Sequence, residues 1–509
     1  MGLAAMSRRP LGLLLTGLLE VTAQTSSHDG LTDTIRELHA SQLPGFIEPK
    51  ATRPMVDPDT PEDKKTTLDH NGDEFTLVFS DEFTKNGRSF AAGDDPYWTA
   101  VDHFNPTTSD LEYYSPSMVT TDAGNMVITA TMAPHEGHPY TSGMVTSWNQ
   151  MCFQGGIVEV KVQLPGTPQR PGFWPAVWMM GNLARAGYTM TTDAMWPWSY
   201  TDCDGISGQW QRLSECNESA PEGYRGRGAP EFDILETNTC PTSNEIVGVS
   251  DLMRCPNDTK STGAYKAGPR LFSTMHFTPK NPANKEYDEG FEFGDLDSTH
   301  KNTDGDELHD FIGGTTAVDE SLWEFPHVYR LEWYPSRASQ GGGSYGYVRW
   351  ELDGKLLVNI DAYALRGRIG EGGDGSKYVI SDRKISQEPM YMLFNVAISE
   401  FWKHQDPAHP LQFPGQMKVD YVRVYQNPEN PNHSCDPPTH PTASYIKEHP
   451  TWYDGTSKPP VMCDPNANPP QTCPGPGPGL PGPPCPQCGK PACECPPQGK
   501  VINRPGMSA

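Results

Sequence analysis

Apolar residues in this chain recur at alternate positions, in short runs that end at glycine or a turn. Such runs occur at Glu74–Phe79, Met126–Ala130, Gly156–Val162, Val328–Trp333, Tyr345–Leu352, Met390–Asn395 and Lys418–Tyr425. Alternation with a period of two is the signature of half-buried strands. Leu352-Asp353-Gly354-Lys355 has the form of a tight hairpin turn. Sustained helical periodicity is missing, and 51 prolines and 49 glycines break up the 509 residues. Many short strands with turns between them predict an all-β sandwich rather than βαβ units.

The formal net charge of −25 excludes a nucleic-acid partner, which calls for a basic face. A neutral polymer such as a polysaccharide needs no such complement. Residues 1–23 have the form of a secretory signal, with Arg8 and Arg9 ahead of the apolar Leu11–Leu19 and a cleavage site after Ala23. No later run of about 20 apolar residues is present to span a membrane. The twelve cysteines fit an oxidising compartment, and Cys203, Cys216, Cys240 and Cys255 stand on either side of an acidic stretch. Asn217, Asn257 and Asn432 lie in glycosylation sequons.

That acidic stretch is Glu231-Phe232-Asp233-Ile234-Leu235-Glu236. Glu231 and Asp233 share one face of a strand, whereas Glu236, at an odd separation from Glu231, would fall on the other. A one-residue bulge at Ile234-Leu235 restores the phase and gathers all three acids. The two glutamates are then about 13 Å apart at Cα. Inward-leaning side chains leave about 5–5.5 Å between carboxyls, the separation that retaining glycoside hydrolysis needs. Taken alone, three acids in six residues also describe a solvated strand face.

Aromatic side chains gather ahead of the acids, at Trp148, Phe173, Trp174, Trp178, Trp196, Trp198 and Tyr200. Flat rings either stack on sugars or fill a core. Trp174 and Trp178, four apart, share a face of a regular strand, and Pro175 between them is expected to break that regularity.

Several ordered motifs resemble glycoside hydrolase family 16: Gly143–Trp148, Gly155–Glu159, Gly172–Met180 and Glu231–Glu236. Asp57–Glu62, Leu77–Phe83, Gly93–Trp98, Met195–Tyr200, Gly228–Pro230, Glu388–Tyr391 and Asp420–Gln426 narrow the resemblance. They are similar to its fungal-type β-glucan synthesis-associated branch, the SKN/KRE-type proteins of β-1,6-glucan assembly. The resemblance implies a two-sheet, concanavalin-like jelly roll over residues 55–447, preceded by a polar linker or arm at 24–54. It implies retaining hydrolysis or transglycosylation on β-1,3/β-1,6-glucan in wall assembly, with no cofactor and no metal. Glu231 would be the nucleophile, Asp233 the assisting acid and Glu236 the general acid/base. Trp148, Trp174, Trp178, Trp196, His276 and Asn395 are candidate substrate contacts. Branch members carry a cytosolic N-terminal region and one spanning helix, a pattern this sequence does not show. A binding or scaffold protein that retained the groove without turnover is the rival expectation. The final stretch, 448–509, rich in Pro, Gly and Cys, is expected to be a disordered tail that contacts other wall components.

Overall fold

The computed structural model describes residues 52–198, 211–214, 226–240, 268–277, 291–294, 298–303, 310–338, 344–371, 377–380, 382–399, 402 and 410–456. Two antiparallel sheets face one another as a jelly-roll sandwich. The ten-stranded sheet runs through Glu74–Asp81, Gly415–Gln426, Gly156–Gln163, His327–Ala338, Ser344–Leu352 and Lys355–Asp361. The nine-stranded sheet contains, in neighbouring order, Asp310–Ala317, Gly268–Phe277, Glu231–Cys240, Phe173–Gly181, Met390–Ile398 and Met144–Thr146. Every alternating run identified above lies within a strand. Leu352 pairs with Lys355 across a two-residue turn in which Asp353 and Gly354 both have positive φ, 49° and 72°. Both angles belong to the turn type that matches strand twist.

The core fills the space between the sheets. Alternate residues of the second sheet point into it, among them Val177, Met179, Phe232, Met275, Met392, Phe394 and Val396. The first sheet answers with Val158, Val160, Leu331, Trp333, Val348, Trp350, Val422 and Val424. Pro175 does not interrupt its strand. Phe173–Gly181 is continuous, and Pro175 stands opposite Val396 in an unbroken register.

A second apolar cluster lies on the outer face of the nine-stranded sheet and includes Trp148, Met180, Leu183, Tyr391, Ile446 and Tyr453. Its cover is the C-terminal segment, which a disulfide between Cys152 and Cys435 ties to the body. Two short helices, Ala443–Glu448 and Pro450–Tyr453, complete this strap. Tyr453 is fully buried, stacks on Trp148 with centroids 5.4 Å apart, and donates its hydroxyl proton to Leu183 O at 2.5 Å. The expected boundary at 447 is therefore too early. The packed body continues to about Asp454, through the apolar residues of these two helices. Residues 457–509 and 1–51, with the expected signal and most of the arm, lie outside the described residues. No helix among the described residues is long and apolar enough to cross a membrane.

Candidate active site

The acidic stretch opens the strand Glu231–Cys240, in the middle of the nine-stranded sheet. Against Phe173–Gly181 its register is regular at Glu231–Met180 and Asp233–Trp178, then shifts so that Leu235 faces Val177 and Glu236 faces Ala176. Against Gly268–Phe277 the shift falls between Asp233 and Glu236. This is the bulge anticipated from the phase of the three acids. Its cause is visible in the core: Phe232, Ile234 and Leu235 are all buried there, so two consecutive apolar residues point inward and the acids keep the outer face. The backbone carbonyl of Asp233 at the kink accepts the indole N–H of Trp350, which reaches across the core from the other sheet, at 2.8 Å.

Each acid is held by specific donors. Trp196 Nε1 donates to Glu231 Oε2. Trp174 Nε1 donates to Glu236 Oε1 at 2.7 Å. Thr274 donates its hydroxyl proton to Asp233 Oδ2 at 2.5 Å, and His276 Nε2 lies 3.0 Å from the same oxygen. His276 Nε2 is also 3.9 Å from Glu231 Oε1. Asp233 is only 2% exposed, whereas both glutamates are half-buried and keep a path to solvent.

Burial pushes the Glu231 carboxyl well above the usual carboxylate range, and the charge of Asp233, a hydrogen bond to it and the charge of Glu236 push the same way. The Trp196 N–H pulls in the opposite direction by stabilising the charged form. The protonated form of Glu231 is thus favoured by its surroundings, and the Trp196 N–H is the group that favours its ionised form.

The aromatic candidates divide. Trp174 and Trp178 share the outer face, as their spacing predicted, and both are half-buried. Trp178 Nε1 donates to Asn395 Oδ1 at 2.8 Å, and Trp174 stacks flat on Trp402 with centroids 4.3 Å apart and planes 5° from parallel. Trp196 tilts against His276 at 5.7 Å. Trp148 does not join them: it is 5% exposed, covered by Tyr453, and its N–H goes to Asn182 O at 3.1 Å. Its ring supports the strap rather than a ligand, a correction to the expectation above. Asn432 is half-buried, its amide nitrogen donating to Gln154 Oε1. Asn217, Asn257 and the side chains of Cys203, Cys216, Cys240 and Cys255 lie outside the described residues.

Thr274 and Trp402 were not among the expected residues. Thr274 had a signal: it is two residues before His276 and so must share its face. Trp402 had none. One oxygen or nitrogen from each of Glu231, Asp233 and His276 lies within 4.8 Å of the others, a spacing that can hold a cation, though the Glu231 and Asp233 carboxylates already accept from Trp196 and Thr274.

A family model described as "Beta-glucan synthesis-associated protein SKN1/KRE6/Sbg1" matches residues 11–459. The chain is 35% identical over 423 residues to the beta-glucan synthesis-associated protein SKN1 of Candida albicans, covering 79% of this chain and 52% of the relative. It is 33% identical over 444 residues to KRE6 of Saccharomyces cerevisiae, covering 83% and 56%. It thus spans about half the length of the curated relatives it matches. Among solved structures, the catalytic domain of an endo-1,3-beta-glucanase (laminarinase) from Thermotoga petrophila aligns over 70% of this chain and 98% of its own, at 19% identity and a TM-score of 0.40. On the extent of the sequence match, the chain belongs to the SKN1/KRE6/Sbg1 family of beta-glucan synthesis-associated proteins.

Proposed function

We propose that this protein is a retaining glycosidase or transglycosylase acting on β-1,3/β-1,6-glucan at the cell surface or in the secretory pathway. The observation that carries the reading is the bulged strand, which turns two glutamates and an aspartate to one outer face and gives each a dedicated donor. The family relatives are beta-glucan synthesis-associated proteins, which supports β-glucan as the substrate class.

In the resting site the surroundings of Glu231 favour its protonated form. Attack requires that proton to leave for solvent, with the Glu231 charge taken up by the Trp196 N–H. A Glu231 oxygen then bonds to the anomeric carbon, and the glycosidic C–O bond breaks. Glu236 gives its proton to the departing oxygen. In the second half a water or sugar hydroxyl attacks the anomeric carbon and returns its proton to Glu236, and the Glu231 ester bond breaks. Water gives hydrolysis; a sugar gives a longer glucan.

The rival reading, a glucan-binding scaffold without turnover, draws on the same burial: a permanently protonated Glu231 binds but does not attack. Incubation with a defined laminari-oligosaccharide separates the two. Longer products support transfer and shorter ones hydrolysis. Glu231→Ala should regain activity with azide and invert the anomeric configuration, while rescued Glu236→Ala should retain it. Binding without any product, in the native protein and with azide, would establish the scaffold instead.

A further inference from the structure

Behind the outer face of the nine-stranded sheet lies a second pair of acids that the proposed chemistry does not use. Asp110 is 5% exposed and Glu112 fully buried, two residues apart in a segment that ends in the strand Glu112–Tyr114. A continuous run of hydrogen bonds links them to the groove. Trp178 Nε1 donates to Asn395 Oδ1 at 2.8 Å, and Asn395 Nδ2 donates to the Tyr114 hydroxyl oxygen at 3.4 Å. Tyr114 donates its hydroxyl proton to Asp110 Oδ2 at 3.2 Å. Every donor in this run points the same way, from the indole toward the carboxyls.

The pair itself is short of protons. Asp110 Oδ1 accepts from the Thr108 hydroxyl at 2.5 Å, and Glu112 Oε2 accepts from the Ile398 N–H at 2.9 Å. Glu112 Oε1 is buried with no donor among the described residues. A buried carboxylate oxygen without a donor is costly, and a proton held between the two acids removes that cost. The titratable groups acting on either acid are the other acid and Tyr114, while the parallel neighbour Tyr140–Ser142 places Tyr140 in register with Glu112. Burial pushes Asp110 up to about 6, and burial followed by the charge of Asp110 pushes Glu112 well above the carboxylate range. One proton therefore stays in the pair at neutral pH.

We infer that Asp110 and Glu112 are positioning residues, a proton-sharing carboxyl pair that through Tyr114 and Asn395 fixes the indole of Trp178 beside Asp233. The proposal rests on the glucan-groove reading for its effect on substrate, but not for the shared proton. When the pair loses its proton, two adjacent buried charges repel, the run loosens at Asn395, and glucan binding weakens. Replacing Glu112 by glutamine supplies a permanent N–H in the same place.

Two measurements on the full chain test this. The first needs no glucan: the thermal midpoint of the native protein and of Glu112→Gln between about pH 4 and 8. An acid whose folded pKa is raised makes stability fall as pH climbs from the unfolded value through the folded one. The native protein should show that decline, and Glu112→Gln should make it measurably shallower, the remainder coming from the likewise raised Glu231. An unchanged slope in Glu112→Gln overturns the proposal. The second is the pH profile of KM and kcat on a laminari-oligosaccharide. Tyr114→Phe, which cuts the run, should raise KM about fivefold, the loss of one neutral hydrogen bond, and leave kcat in place. Glu112→Gln should abolish the alkaline rise in KM. An unaltered KM for Tyr114→Phe, or equal falls in kcat, overturns the positioning role. A shallower thermal profile in Glu112→Gln, in a protein that binds no β-glucan, sustains the proton-sharing pair and refutes the groove reading instead.

Discussion

Trp196→Phe offers a direct test of how Glu231 is made ready to attack. The substitution keeps an aromatic ring against His276 but deletes the N–H donated to Glu231 Oε2. That N–H opposes the burial and the neighbouring charges that raise the Glu231 carboxyl, because it stabilises the ionised form. A hydrogen bond to a charged group contributes about 1.5–3 kcal/mol, and about 1.4 kcal/mol corresponds to one pH unit. Without it the acid limb of the kcat/KM profile, which reports ionisation of Glu231, should move up by about 1–2 units. Below the limb, kcat/KM should fall by about 10- to 100-fold, while well above it the variant should approach the native protein. The position of the limb does not depend on how much protein is folded, so any loss of packing is read separately from the thermal midpoint. Trp178→Phe is the control, since its N–H goes to Asn395 and not to a glutamate. An acid limb that stays in place or moves to lower pH in Trp196→Phe refutes the assignment. So does an equal shift in Trp178→Phe.

Three further outcomes follow from the packing. A chain ended after residue 448 should lose about 3–5 kcal/mol in denaturant unfolding, the usual cost of deleting a buried aromatic ring, whereas one ended after residue 456 should match the full chain; Tyr453→Phe should cost only about 1 kcal/mol, for the bond to Leu183. Cys152 and Cys435 are 283 residues apart, and in the chain-entropy picture the double serine variant loses about 6 kcal/mol in urea unfolding, with a steeper slope because the denatured chain without its cross-link is more expanded. Trp402→Ala removes the ring on which Trp174 lies flat and should slow turnover about tenfold on glucan, through Glu236, but far less on aryl glycosides whose leaving groups need little protonation.

Much of the site was legible because parity constrains it. An acid at each of 231, 233 and 236 cannot share a face without one extra residue, and Ile234-Leu235 is the only apolar pair between them that can be turned inward together. The strands were legible for the same reason, including Trp174 and Trp178, whose even spacing outweighed Pro175. Trp148 was not. Whether a tryptophan lines a groove or lies under a cover depends on what is laid over it, and here that is Tyr453, some three hundred residues later. The strap itself was hidden because helices of six and four residues carry too few turns for a periodicity to show. Asp110 and Glu112 escaped notice for a different reason. Nothing in Asp110-Leu111-Glu112-Tyr113-Tyr114 distinguishes an acid facing water from one buried with a shared proton.

The disulfide has a consequence for handling the protein as well as for its stability. Glu231, Asp233, Glu236 and all the strands that carry their donors lie between the two bridged cysteines in the chain. A protease that cuts the backbone anywhere between residues 152 and 435 therefore leaves two pieces that remain one covalent molecule. On a gel without reductant such a clipped protein migrates as a single species, and it separates into two bands only when the bridge is reduced. Intactness judged under oxidising conditions alone would count a severed chain as whole.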